Sequence, residues 1–200
     1  MNIFVLSENP YEAAWMQCDK HVVKMVTESA QMLSTAHRML DGEMYTEKSA
    51  NGRNIKRWRL DDDREDVLMK ACHTGHPCTL WTMASKTNYH WHYQHYHGLA
   101  EEYEYRYGKK HGAFNRDTTI YKLLGKFPKN ISDGGQTPFA LAMKNNPECI
   151  VEGYDKPRNA QDVQSYRNYY HTKQDNFKMV WTKRDVPSWF KCREKGLLSA

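Results

Sequence analysis

The alternation of apolar and polar positions divides the chain into helix-like stretches separated by turn chemistry. Asn2-Ile3-Phe4-Val5-Leu6 is a short apolar run, either a strand or a buried lead-in. Ser7-Glu8-Asn9-Pro10 follows as a turn, with Pro10 suited to the first position of a helix. No Pro or Gly occurs from Tyr11 to Asp41, and apolar residues recur at helical spacing. The spacing therefore predicts one long helix, stopping at Asp41-Gly42. Wound at about 100° per residue, it places Val22, Val26, Leu33, Ala36 and Leu40 on one core face. His21, Lys24, Glu28 and Gln31 fall in a separate stripe about 80° wide. Two readings of that stripe stand side by side. One is a solvated face with a Lys24–Glu28 pair contributing a few tenths of a kcal/mol. The other is a catalytic floor, with Glu28 the acid–base or electrostatic residue and His21 its neighbour.

Residues 43–58 lack clear periodicity, and Ser49 to Arg53 reads as an exposed loop. Asp61-Asp62-Asp63 reads as an acidic helix start leading into Val67–Ala71. A second long helix, rich in Tyr and Trp, is predicted from Pro77 to about Tyr107, closed by Gly108. Shorter helices are predicted at Thr118–Leu124, at Pro138–Met143 behind a Thr137 cap, and at Gln161–Lys173. Asp133-Gly134-Gly135 marks a loop between Pro128 and Pro138. The expected fold is mostly α: a single compact helical domain over residues 1–200. It has two long helices, a short N-terminal extended segment and an aromatic, basic C-terminal tail.

Composition narrows this picture. Two hundred residues, 40% hydrophobic and 26% charged, suit one globular domain. The apolar runs fall short of the roughly 20 residues a membrane span needs. The N-terminus lacks a basic segment followed by a long apolar one, so no signal peptide is expected. Five scattered Cys, an odd number, favour reduced thiols and a cytoplasmic setting. A net charge of +5 with ten His permits a polyanionic partner without requiring one.

Four potential metal ligands crowd Cys72-His73-Thr74-Gly75-His76-Pro77-Cys78, and His90, His92, His95 and His97 follow on one helix. Their spacing departs from the paired clusters of zinc sites, so neither metal nor cofactor is expected. No phosphate-binding Gly-rich loop, dinucleotide fingerprint or nucleophile elbow is present. Basic and aromatic residues do mix. Arg53, Lys56, Arg57 and Arg59 flank Trp58. Tyr166, Arg167, Tyr169, Tyr170 and Lys173 precede Trp181, Lys183, Arg184, Trp189, Phe190 and Lys191. Cations for phosphates beside flat rings for bases make the lining of a nucleic-acid groove. A tail whose rings dock on the core while its charges stay wet has the same composition.

Asp19-x-His21 followed by Glu28 on the first long helix, Gly75-His76 ahead of the aromatic helix, and the ending Pro187-Ser188-Trp189-Phe190-Lys191 occur in that order. Together they resemble the phage pyrimidine-dimer DNA glycosylase/AP lyases of the endonuclease V type. The likeness touches the first forty residues, the middle helix and the last fifteen, in a chain longer than that family's. It implies a small all-α enzyme that bends DNA, flips a nucleotide and cleaves its glycosidic bond; a monomer is expected, in a host cytoplasm if phage-encoded. On this resemblance Glu28, His21 and the Met1 amine are the catalytic candidates. Lys24, Gln31, His76, Arg167, Lys183, Arg184, Trp189, Phe190 and Lys191 are the substrate-binding ones. The family uses the α-amino group of a processed N-terminus as nucleophile, for which a pKa near 8 is suited. Here Asn2 hinders removal of Met1, Thr27 stands where the family has a cation, and Ile3 where it has a basic residue. The lyase step thus separates from the glycosylase step. Two other classes remain open: a DNA base-modifying transferase on a similar scaffold, and a non-enzymatic phage protein that binds nucleic acid or a host factor.

Overall fold

The computed structural model describes residues 2–115, 119–153 and 158–193. Over these residues the chain is mostly helical, with six α-helices and one two-stranded sheet. The helices are α1 (Pro10–Trp15), α2 (Asp19–Asp41), α3 (Pro77–Ala84), α4 (Lys86–Tyr107), α5 (Thr119–Leu124) and α6 (Arg158–His171). Strands β1 (Glu43–Lys48) and β2 (Asn54–Arg59) form an antiparallel hairpin between α2 and α3. No described helix is long and apolar enough to cross a membrane.

Helix α2 is the axis. Val22, Val26, Leu33 and Ala36 of the expected core face are fully buried. From Met32 to Arg38 every residue is buried, so the helix is enclosed all round there. What encloses it on the outer side is the segment after the hairpin. Buried Arg38 donates to the carbonyls of Trp58, Glu65, Leu68 and Met69 and to the Glu65 carboxylate. The helix expected from Asp61 onward does not form, because three of its carbonyls are committed to this one guanidinium.

Two long helices were each expected unbroken, and each is broken once. The first stops at Trp15 and restarts at Asp19. Between them Cys18 is extended, and its N–H donates to the Tyr170 hydroxyl at 2.9 Å. The second breaks at Ser85, whose backbone is extended. The Ser85 hydroxyl accepts from the Asn88 N–H at 3.1 Å and donates to the Gly135 carbonyl at 2.9 Å. It thus caps α4 and ties down the 132–137 loop in one step. Downstream, α4 crosses α1 at Gly98. A Cβ there would stand 3.1 Å from Ala14 Cβ and from Tyr11. Gly108 ends α4 in the left-handed conformation, as its position in the sequence implied.

The helix expected at Pro138–Met143 is absent as well. Its backbone groups are taken by side chains of neighbouring elements. Thr137 N–H donates to Asn88, Phe139 N–H to Asp162, and the carbonyls of Ala140 and Ala142 accept from Tyr166 and Asn2. The helix expected from Gln161 starts at Arg158 and ends in a 3-10 turn, Thr172–Asp175. The helix expected from Thr118 appears as α5, with Thr118 itself outside the described residues.

Candidate functional site

The site is built from the N-terminal segment upward. Ile3, Phe4, Val5 and Leu6 are all buried, running through the core as irregular chain instead of pairing as a strand. Asn2 is buried too. Its amide donates to the Ala142 carbonyl at 3.1 Å, and its side-chain oxygen accepts from the Phe4 N–H at 3.2 Å. That closed ring supports a φ of 54° at Phe4, a left-handed conformation rare for an aromatic residue. The same Asn2 oxygen lies 4.0 Å from Cys78 Sγ, at the start of α3. The Met1 amine, the expected nucleophile, lies outside the described residues.

Helix α2 brings Glu28 to this neighbourhood. The Glu28 side chain is 13% exposed, and one of its oxygens stands 3.2 Å from Lys24 Nζ, whose side chain is 62% exposed. One face of α2 carries Glu28 and, seven residues on, Thr35. The Thr35 hydroxyl accepts from the Cys72 N–H at 3.2 Å, which lays the Cys72–Cys78 loop over that face. The Glu28 charge consequently acts on Cys72, His76 and Cys78 together. Burial raises both thiols, that of Cys78 to about 11, and Glu28 adds to the shift. Burial lowers His76, and Glu28 opposes it. His76 Nδ1 accepts from the Cys78 N–H at 3.2 Å as the cap of α3, so a neutral His76 carries its proton on Nε2. The expected pairing of Glu28 with Lys24 is present. Gln31 is half-buried on the same stripe, and its carbonyl accepts from Thr35 at 2.7 Å.

His21 departs from the expectation. On the helical wheel it borders Met25 and Met32, which are core residues, so it is buried with them. Its ring stacks on Phe4 at 4.5 Å, meets Phe177 edge-on at 5.4 Å, and places Nδ1 2.8 Å from the Tyr170 hydroxyl. Burial, with Lys173, Lys24 and Lys20 nearby, pulls its pKa down to about 3. A histidine held neutral in an aromatic cage packs the N-terminal kink against α2, and its ring partners do not include Glu28. Asp19 of the Asp19-x-His21 pair is structural too. Its carboxylate accepts from Thr182 N–H and hydroxyl and from Arg106, which pins the C-terminal tail to the start of α2.

The C-terminal tail docks. Phe190 is buried with its ring flat against His171 at 4.9 Å, which removes it from the surface plates expected for bases. Trp181 donates to the Met16 carbonyl, and Trp189 packs its Nε1 3.4 Å from Met16 Sδ with Arg167 over its ring. Arg167 itself donates to the Leu6 carbonyl. Arg184 forks onto the buried Glu102 carboxylate and lies over Tyr105 at 4.4 Å. Lys183, exposed, donates to the Tyr105 carbonyl, and Lys191 is exposed. Arg167 of α6 and Arg184 of the tail therefore hold protein groups, and Trp181, Trp189 and Phe190 clamp the tail to the core.

The Cys72–Cys78 stretch carries four potential ligands; among the described residues no three His, Cys, Asp or Glu side chains group as metal ligands. Its place beside Glu28 depends on the Thr35–Cys72 bond, for which the sequence carries no local signal. Comparison of the chain with protein-family models, curated proteins and solved structures returned no match.

Proposed function

We propose that the protein is a DNA-acting enzyme similar to the pyrimidine-dimer glycosylases, cleaving the N-glycosidic bond of a flipped, damaged or modified nucleotide with Glu28 as its key carboxylate. One observation carries this reading: the Thr35–Cys72 bond lays the Cys72–Cys78 stretch over the face of α2 that carries Glu28, and the same stretch meets the buried N-terminal segment at the Asn2–Cys78 contact. A carboxylate on the first long helix, with the N-terminal segment packed on the same stretch, is the arrangement that the resemblance implies.

Cleavage of the bond builds positive charge on the sugar, and a fixed carboxylate stabilises it in a site shielded from water. Lys24 Nζ stands 3.2 Å from the Glu28 carboxylate and fixes its position on the helix face. With water as nucleophile, its oxygen bonds to the anomeric carbon while the proton passes to Glu28. The carbon–nitrogen bond breaks with its electron pair going to the base, and His76 Nε2–H stands as the donor for that leaving group. DNA is the proposed partner, and the proposed setting is the cytoplasm of a host cell.

Duplex DNA containing normal bases, modified pyrimidines and pyrimidine dimers tests the reading, with mass spectrometry of free bases and nucleosides after incubation. A released free base is expected. A mass-shifted nucleoside would replace the glycosylase by a transferase, and unchanged DNA at every substrate would remove the enzyme reading.

A further inference from the structure

The β1–β2 hairpin takes no part in the site above. Its register pairs Met44 with Trp58, Thr46 with Lys56 and Lys48 with Asn54. By strand alternation these six residues share one face, and all but half-buried Trp58 are exposed. The other face carries Tyr45, Glu47, Ile55 and Arg57, all partly covered. Both carboxylates of the hairpin project from that second face, since Glu43 and Glu47 alternate with Met44 and Thr46. Glu47 is spent on Arg57 there, at 2.6 Å. The outward face is thus cationic through Lys48 and Lys56, extended by exposed Arg53 at the tip, and it offers Met44, 50% exposed, beside an indole.

This ribbon is held firmly at its base. Gly42 allows the end of β2 to approach the end of α2, because a Cβ there would stand 2.6 Å from the Arg38 carbonyl and 2.8 Å from the Arg59 carbonyl. Buried Arg38 donates to the Trp58 carbonyl at 3.1 Å. Strands of six residues reach about 20 Å. A rigid two-stranded ribbon of that size is one of the two shapes that the major groove of duplex DNA accepts.

We propose that the outward face of the hairpin is a second contact with double-stranded DNA, in which Lys48, Arg53 and Lys56 meet backbone phosphates away from the nucleotide held at Glu28. The inference rests on the reading of DNA as substrate. Charge separation between the two faces argues for a polyanion: a protein partner would meet a single-sign surface with one apolar spot, whereas a phosphate backbone meets a row of cations at ribbon spacing.

The test is fluorescence anisotropy with a labelled duplex over a series of salt concentrations, comparing the intact protein with a K48A/R53A/K56A variant. Each phosphate contact contributes about 0.9 to the log–log salt slope. The variant should lose roughly 2 to 3 units of slope and bind at least about ten-fold more weakly near 0.1 M salt. T46E, which places a carboxylate on the same face, should weaken binding while leaving the melting temperature unchanged. Equal slopes and affinities for intact protein and both variants would overturn the hairpin contact and leave the glycosylase reading standing. An intact protein that binds no duplex would overturn both.

Discussion

Single residues divide between those whose role a local pattern announces and those whose role is made by a distant partner. Glu28 and Lys24 are four apart on a helix, and their pairing follows from the helical repeat alone. Glu102 belongs to the second kind. It sits in a helix of tyrosines and glutamates with nothing to mark it, yet it is 1% exposed and holds two guanidinia, Arg106 at 2.7 Å and Arg184 at 2.8 Å. Arg106 in turn reaches Asp19. Removing the shared carboxylate leaves the fully buried Arg106 guanidinium with Asp19 and the Trp15 carbonyl as its remaining partners. Glu102→Ala should therefore cost about 3–5 kcal/mol of folding stability, the scale of a broken buried ion pair. Urea unfolding reads this directly, and a loss below about 1 kcal/mol would show that the network does not hold the tail.

Elements were legible where side-chain spacing decides and illegible where backbone groups find partners far away. Periodicity located α2, α4 and α6, and Gly108 marked the end of α4. The break at Ser85 was hidden because a mid-helix serine and an N-cap serine look alike until the Gly135 carbonyl supplies the second bond. The hairpin was hidden for a different reason. Its solvent face sets Met44 and Trp58 among Thr46, Lys48, Asn54 and Lys56, and its inner face mixes Tyr, Glu, Ile and Arg, so no apolar alternation develops. Ser85→Ala removes the cap and the loop tie together and should destabilise the protein by about 1–2 kcal/mol. Hydrogen exchange should speed up in the first turn of α4 and in residues 132–137. Unchanged exchange in both places would mean that the joint is held by something other than this hydroxyl.

At the scale of the whole molecule the distinctive feature is buried, neutral histidine. Burial holds His21 and His92 near pKa 3 and His37 near 4, and it pulls His95 well below the ordinary value. His37 sits in a relay: Arg64 approaches Nδ1 at 3.0 Å, and Nε2 meets the Tyr89 hydroxyl at 2.9 Å. The sign follows from proton counts. Below about pH 6.5 the unfolded chain protonates its histidines while the native one does not. The unfolded state then binds more protons, and stability falls as pH drops from 6.5 toward 4, by up to about 1.4 kcal/mol per pH unit for each histidine. Carboxylates held low by Arg64, such as Asp62 and Asp41, act in a lower window and do not offset this. The melting temperature should fall steeply between pH 6.5 and 5 and stay nearly level from 7 to 8. A flat or rising profile on acidification would contradict the neutral histidine core.

The central claim is that Glu28 does the chemistry, and one substitution addresses it most directly. Glu28→Gln keeps the side chain's shape beside the Cys72–Cys78 loop and removes the charge that acts on His76 and Cys78. The measurement is single-turnover base release from the duplex that the intact protein cleaves, with melting temperature and duplex affinity followed on the same samples. The account predicts an unchanged fold, retained DNA binding and a rate lower by about a hundred-fold or more, the scale of a positioned acid–base group. Base release within a few-fold of the intact protein, at equal folding and binding, would contradict it.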